Sequence, residues 1–304
     1  MLYTMKQLLD VANKCNFAIP APNIQNELTA RAVIEAAERC NAPLIIDIAF
    51  PIHPDIVFLG EQTRRLAEES PMPIAINLDH GGSRWKTLDH VLEEVMPCIR
   101  AGFTSVMVDR SALPYEENVN QVRQVVQIAH AMGITVEAEL GHVGDGDKYL
   151  DEGDTVLTRP EEAKRFIEET GIDCLAVSVG TAHGQYCGTP HIDFDRLEQI
   201  KKITDNFPLV LHGGSGTGEE NLRKVSKMGI NKVNVGTDLF KAALNAVRTA
   251  DLDGGKIYDI WQVINDSWRD ELERWFDILG SCGKASEYGS IVPVQKKKIL
   301  NKFE

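Results

Sequence analysis

Eight short runs of apolar and β-branched residues recur along the 304-residue chain, at positions 17–20, 43–48, 73–78, 104–108, 134–140, 174–179, 208–211 and 231–235. Runs of this length and make-up predict strands. Between them apolar residues return at helical spacing, as at Leu28, Ala32, Ile34 and Ala36 before the second run and at Val122, Val125, Val126 and Ala129 before the fifth. Thr158 and Glu161, just ahead of AKRFIEE, have the spacing of a capping box. The opening segment MLYTMKQLLDVANKC predicts an amphipathic helix and contains no continuous apolar signal region. Strand alternating with helix implies a parallel sheet with right-handed crossovers, and eight such units over about 250 residues match an α/β fold of the (β/α)8 TIM-barrel type. An open doubly wound sheet is the competing arrangement. No linker or low-complexity tract divides the chain, so residues 1–304 are expected to form one domain. The pattern changes after Asp251, where IYDIWQVINDSWRDELERWFDILG predicts a long helix. Residues 251–304 therefore read as a C-terminal helical extension, packed on the barrel or on a neighbouring subunit and ending in the solvated Lys296 to Lys298.

Composition narrows the function. With 43% hydrophobic and 25% charged residues the chain is a soluble globular protein by make-up. Its 32 basic and 45 acidic side chains give a net charge of −13, which argues against nucleic acid and anionic membranes as partners. An anionic substrate would need a locally positive site. The six cysteines form no CxxC pair, so reduced thiols in the cytoplasm are expected rather than a disulfide framework or a thiolate zinc site. No apolar run approaches membrane-spanning length.

The chemistry concentrates where strand-like runs give way to glycine. His80 in PIAINLDHGG, His183 in CLAVSVGTAHG and His212 in PLVLHGGSG each end a run. Three imidazoles from three strand ends fit a catalytic zinc site that keeps a fourth position open. Asp79, beside His80, is a candidate acid/base, its alternative being a structural hydrogen-bond acceptor. Asp109 and Glu139 end the fourth and fifth runs, and Glu137 shares a face with Glu139. Inward carboxylates need partners, which a second cation or a hydrogen-bond network would supply. The polar segment GHVGDGDKYLDEGD reads as a mobile loop over the site or as a plain connection, with Asp145 and Asp147 as candidate bases. The last two runs end in HGGSGTGEEN and NVGTD, whose glycines and following helix N-termini suit a phosphate.

These residues resemble the class II, zinc-dependent ketose-bisphosphate aldolases, which include fructose- and tagatose-bisphosphate aldolases. The motifs are LDHG at 78–81, SVMVDRS at 105–111, VEAELG at 136–141, GTAHG at 180–184, LVLHGGSG at 209–216 and KVNVGTD at 232–238, covering almost the whole chain. The resemblance implies His80, His183 and His212 as ligands of one catalytic Zn2+ and Asp79 as the acid/base. Glu139 and Asp109 would serve a second divalent or monovalent cation or the local network, and Asp147 would be the loop base. Gly184, Gly213, Gly214 and Ser215, with Asn234, Val235, Gly236 and Thr237, would hold the phosphate and the dihydroxyacetone portion. Asn234 would stabilise the enediolate, and Asn23 would contact substrate. A homodimer or homotetramer acting on a phosphorylated sugar is implied. Four positions depart from the pattern: Gly236 replaces an acidic or amide residue, Asn265 stands where many members place an arginine, Ala49 replaces a hydroxyl residue, and Asp47 is unusual. A ketose 1-phosphate is accordingly expected ahead of fructose 1,6-bisphosphate. A metal-dependent barrel hydrolase and a non-catalytic sugar-phosphate-binding subunit are the alternatives.

Overall fold

The computed structural model describes residues 1–50, 53, 55–83, 87–149 and 155–294. Its strands are β1 (Ile19–Pro22), β2 (Leu44–Ala49), β3 (Ile74–Gly81), β4 (Ser105–Val108), β5 (Thr135–Leu140), β6 (Cys174–Val177), β7 (Leu209–Leu211) and β8 (Ile230–Val235). All neighbours are parallel, in the order β1-β8-β7-β6-β5-β4-β3-β2, and helices alternate with them. The eight strands form a nearly closed (β/α)8 barrel, as the alternation predicts.

The seam of that barrel has a simple cause. Asn23 donates its N–H to Val235 of β8, so alternation turns residues 20, 22 and 24 toward β2. Two of those, Pro20 and Pro22, have no N–H to give. Ile24 donates across to the Asp47 carbonyl at 3.1 Å, and Asn23 bridges Asp47 there. The strand also starts later than its apolar pattern suggests, because Ala18 is already bonded to the Leu279 carbonyl.

Helix α1 (Met5–Cys15) plugs the bottom of the barrel. It starts in a capping box formed by Thr4 and Gln7, and it buries Met5, Leu8, Leu9 and Ala12 against the inward residues Ile19, Ala21, Ile45, Ala75, Met107, Cys174, Ala176 and Val210. Two positions further along each strand the inward residues turn polar: Asp47, Asn77, Asp109 and His212 follow Ile45, Ala75, Met107 and Val210. The barrel is thus apolar at its floor and ionisable toward its C-terminal mouth, which is where barrel enzymes place their chemistry.

The expected capping box at Thr158 and Glu161 does not form. Thr158 is fully buried, donates to the Leu140 carbonyl and accepts from the Ser178 N–H at 2.8 Å, so its hydroxyl is already committed between two strand ends. The helix there, Pro160–Thr170, instead starts with proline in its first turn. After β8 come helix Thr237–Thr249 and the long helix Ile260–Leu279, which packs on it and on helix Glu27–Cys40. The Lys296 to Lys298 cluster lies outside the described residues.

Candidate active site

Consecutive strand residues face opposite ways, yet Asp79 and His80 both line one cavity of about 280 Å³. The register between β3 and β4 explains it: Leu78 pairs with Val106 but Gly81 with Val108, a bulge of one residue. His80 takes the left-handed conformation, φ 50°, within that bulge.

The three histidines converge. His80 Nε2 lies 3.2 Å from His183 Nε2 and 3.0 Å from His212 Nδ1. Two nitrogens bound at 2.0–2.1 Å to a tetrahedral zinc stand roughly 3.3 Å apart, so the donor set fits that ion. Each ring also has its other nitrogen occupied. His80 Nδ1 faces Asp109 Oδ2 at 2.8 Å, His212 Nε2 faces Glu137 Oε1 at 2.9 Å, and His183 bonds the Val143 backbone. Such partners fix the tautomer and direct the converging nitrogens at a metal.

Burial opposes a charge on His80, but Asp79 and the bond to Asp109 raise its pKa to about 10. Burial and the neighbouring His80 push His183 down to about 4 and His212 downward as well. Two of the three rings therefore favour the neutral form that metals bind. A second group, His80, Asp109 and Glu139, also brings one donor atom each within 4.8 Å of the others. Burial and Asp109 raise Glu139 to about 8, and its Oε2 is buried without a protein partner. An orphaned carboxylate oxygen beside two donors fits a second cation.

Asp79 is 2% exposed and is held by two amides, Asn23 Nδ2 at 3.2 Å and Asn234 Nδ2 at 3.1 Å. Burial works against its charge, while His80, His212 and Lys232 hold it below the usual carboxylate range. The carbonyl oxygens of both asparagines remain unpartnered, free to accept from a ligand.

Opposite lie the glycine turns. Gly184, Gly213, Gly214, Ser215, Gly236 and Thr237 line the same cavity with Asn23, Ala49 and Phe50. Ser215 Oγ accepts from the N–H groups of Gly236 and Asp238, at 3.3 and 3.1 Å, which ties the turn after β7 to the helix that begins at Thr237. A helix N-terminus and flexible-backbone turns around a void suit an anion.

The structure separates three expected residues from this cavity. Asp147 is exposed on the 3-10 turn Gly146–Lys148, Val235 contributes its carbonyl to Asn23 rather than a cavity wall, and Asn265 sits partly buried on the long C-terminal helix. Two arrangements go beyond the sequence reading, which named Glu137 and Asp47 but not the lysine that joins them. Under His212 runs a buried chain in which Glu137 Oε2 meets Lys232 Nζ at 2.9 Å, and Lys232 in turn meets Asp47 at 3.3 Å. Its signal was available, since Asp47, Glu137 and Lys232 each share a strand face with a site residue. Tyr186 is the other, bridging the Ala182 N–H and the Gly213 carbonyl, and nothing local marks it.

Comparison with known proteins gives the family. Residues 3–284 match the family described as class-II fructose-bisphosphate aldolase. The YdjI aldolase of Escherichia coli K12 is 28% identical, with a TM-score of 0.82 over 94% of this chain and 100% of that one. A putative fructose-1,6-biphosphate aldolase of Coccidioides immitis is 29% identical, with a TM-score of 0.80 over 92% and 96%. The fructose-bisphosphate aldolase of Campylobacter jejuni, 24% identical, shares the fold with a TM-score of 0.76 over 92% and 95%. The chain is an aldehyde-lyase and belongs to the class II fructose-bisphosphate aldolase family.

Proposed function

We propose that this aldolase is zinc-dependent and reversibly cleaves a ketose 1-phosphate into dihydroxyacetone phosphate and an aldehyde. The observation that carries the reading is a single cavity lined by His80, His183, Asp79 and the glycine turns, with His212 closing the imidazole trio. The chemistry a bound zinc supplies is Lewis-acid polarisation of the ketone carbonyl. Asp79, fixed by Asn23 and Asn234, takes the C4 hydroxyl proton as the C3–C4 bond breaks and the aldehyde leaves. The second N–H of Asn234 Nδ2, whose first is given to Asp79, is the donor proposed to stabilise the oxygen that becomes anionic on cleavage. Asp147 is the loop carboxylate proposed to exchange the proton at C3, which requires its turn to move over the mouth. The phosphate is assigned to the turns 213–215 and 236–237, at the start of helix Thr237–Thr249, a neutral cradle that lets an acidic protein hold an anion.

None of the described residues lining the cavity is a lysine or arginine. A second phosphate would therefore lack a cationic partner among the described residues, which supports a ketose 1-phosphate over a bisphosphate. The family assigns carbon–carbon cleavage in place of the hydrolase and binding-subunit alternatives. A homodimer or homotetramer is proposed too, supported by Phe240, Leu244, Ile257, Tyr258 and Trp261, all large and exposed on one stretch of the C-terminal segment. A cytoplasmic setting accords with six free cysteines. The test is release of dihydroxyacetone phosphate from candidate ketose phosphates by the zinc-loaded protein. No release from any of them would reject the reading.

A further inference from the structure

Two of the zinc-binding candidates stand on different loops, His183 on the connection after β6 and His212 at the end of β7, and their loops come very close. A Cβ on Gly213, whose φ is 66°, would stand 2.2 Å from the Ala182 carbonyl oxygen. At that approach the Ala182 N–H and the Gly213 carbonyl do not bond each other. The hydroxyl of Tyr186 joins them: it accepts from Ala182 N at 2.8 Å and donates to the Gly213 oxygen at 3.0 Å. Ala182 and Gly213 directly precede Gly184's neighbour His183 and directly follow His212, so this one oxygen spans the two ligand loops.

The ring of Tyr186 is also held. It meets Tyr149 edge to face, with centroids 5.0 Å apart at 80°. Tyr149 makes an equivalent hydroxyl bridge, donating to Gly180 and accepting from His191 N, each at 2.8 Å, but both its partners lie on the β6 connection. The two tyrosines are a matched pair that differ in which loops they join.

We infer that Tyr186 is a positioning residue, whose hydroxyl sets the spacing of the His183 and His212 loops and so governs both metal retention and phosphate affinity. The inference rests on the zinc and phosphate reading above. Without the hydroxyl, the buried Ala182 N–H and the Gly213 carbonyl lose their partner, and the loops relax apart. A lost buried hydrogen bond of this kind corresponds to about five- to a hundredfold in binding.

The test compares Tyr186→Phe with Tyr149→Phe, which lose similar bridges and keep the aromatic stack. Zinc release to a chromogenic chelator is followed for each, and calorimetry measures binding of dihydroxyacetone phosphate and of unphosphorylated dihydroxyacetone. The expected result is faster zinc release and roughly tenfold weaker dihydroxyacetone phosphate binding in Tyr186→Phe alone. Dihydroxyacetone binding should change less. Melting curves register any general loss of stability, which a purely structural role would produce in both variants alike. Wild-type zinc release in Tyr186→Phe, or equal effects in both variants, would overturn the inference. If the wild-type protein binds no dihydroxyacetone phosphate, the substrate reading fails while the zinc-release comparison still decides the role of Tyr186.

Discussion

Lys232 and Glu137 form an ion pair with no exposure to solvent, Nζ to Oε2 2.9 Å, directly under the imidazole of His212. Glu137 Oε1 also accepts a hydrogen bond from His212 Nε2, at 2.9 Å. The lysine therefore holds the carboxylate that holds the ring. Burial opposes the Lys232 charge, but Asp47 and Glu137 raise its pKa well above the usual range, so it stays cationic. Lys232→Met would strand two buried carboxylates, Asp47 and Glu137, and is expected to destabilise the fold by about 3–5 kcal/mol. Urea denaturation of the metal-free protein measures it. A midpoint equal to wild type would show that the carboxylates do not depend on this partner.

The histidine trio makes a sharper prediction. His80→Ala, His183→Ala and His212→Ala should each lower bound zinc and remove aldol cleavage, and exhaustive chelation of the wild-type protein should do the same. Metal analysis alongside the assay checks both halves. Full turnover in rigorously metal-free protein would end the zinc mechanism.

Asp79 separates chemistry from metal binding. Asp79→Ala is expected to cut kcat by about a hundredfold or more while zinc content stays near wild type. A folded, zinc-loaded variant that turns over normally would remove Asp79 from the proton transfer.

Specificity follows from the uncharged far wall at Ala49 and Phe50. A missing charge-assisted contact to a second phosphate corresponds to about 1.5–3 kcal/mol, or about tenfold to a hundredfold in kcat/KM. Ketose 1-phosphates should accordingly outperform fructose and tagatose 1,6-bisphosphate in steady-state comparison. A clear preference for either bisphosphate would mean that a cation reaches the site from elsewhere.

Stability should also respond to pH at Lys201, far from the site. Burial lowers its pKa to about 7, although Asn13, Phe207 and Asn231 offer oxygens to its nitrogen. A depressed lysine binds fewer protons folded than unfolded, so its contribution rises with pH between about 7 and about 10.4 and is lost as pH falls through 7. Subtracting the stability profile of Lys201→Met from that of wild type isolates the effect. A flat difference across that range would contradict it.

Much of the fold is legible in the chain itself. Strand-length apolar runs alternating with helical periodicity give the parallel α/β layout, because parallel strands are buried on both faces, while eight units and the converging histidines favour a barrel over an open sheet. The three histidines were visible because each ends such a run. What escaped depended on contacts across the barrel. Lys232, Glu137 and Asp47 come from three strands, and alternation marks each as inward-facing without showing which of them meet. Thr158 misled for the opposite reason, since a local cap signal was overridden by buried backbone groups of two strands.

The left-handed backbone at His80 has a consequence for how this protein can change. That conformation costs an ordinary residue roughly 1 kcal/mol, and glycine escapes the penalty. Foldability and chemistry thus pull in opposite directions at one codon. A His80→Gly drift would ease the backbone at the bulge, but it would remove a proposed zinc ligand and leave the buried Asp109 without its partner.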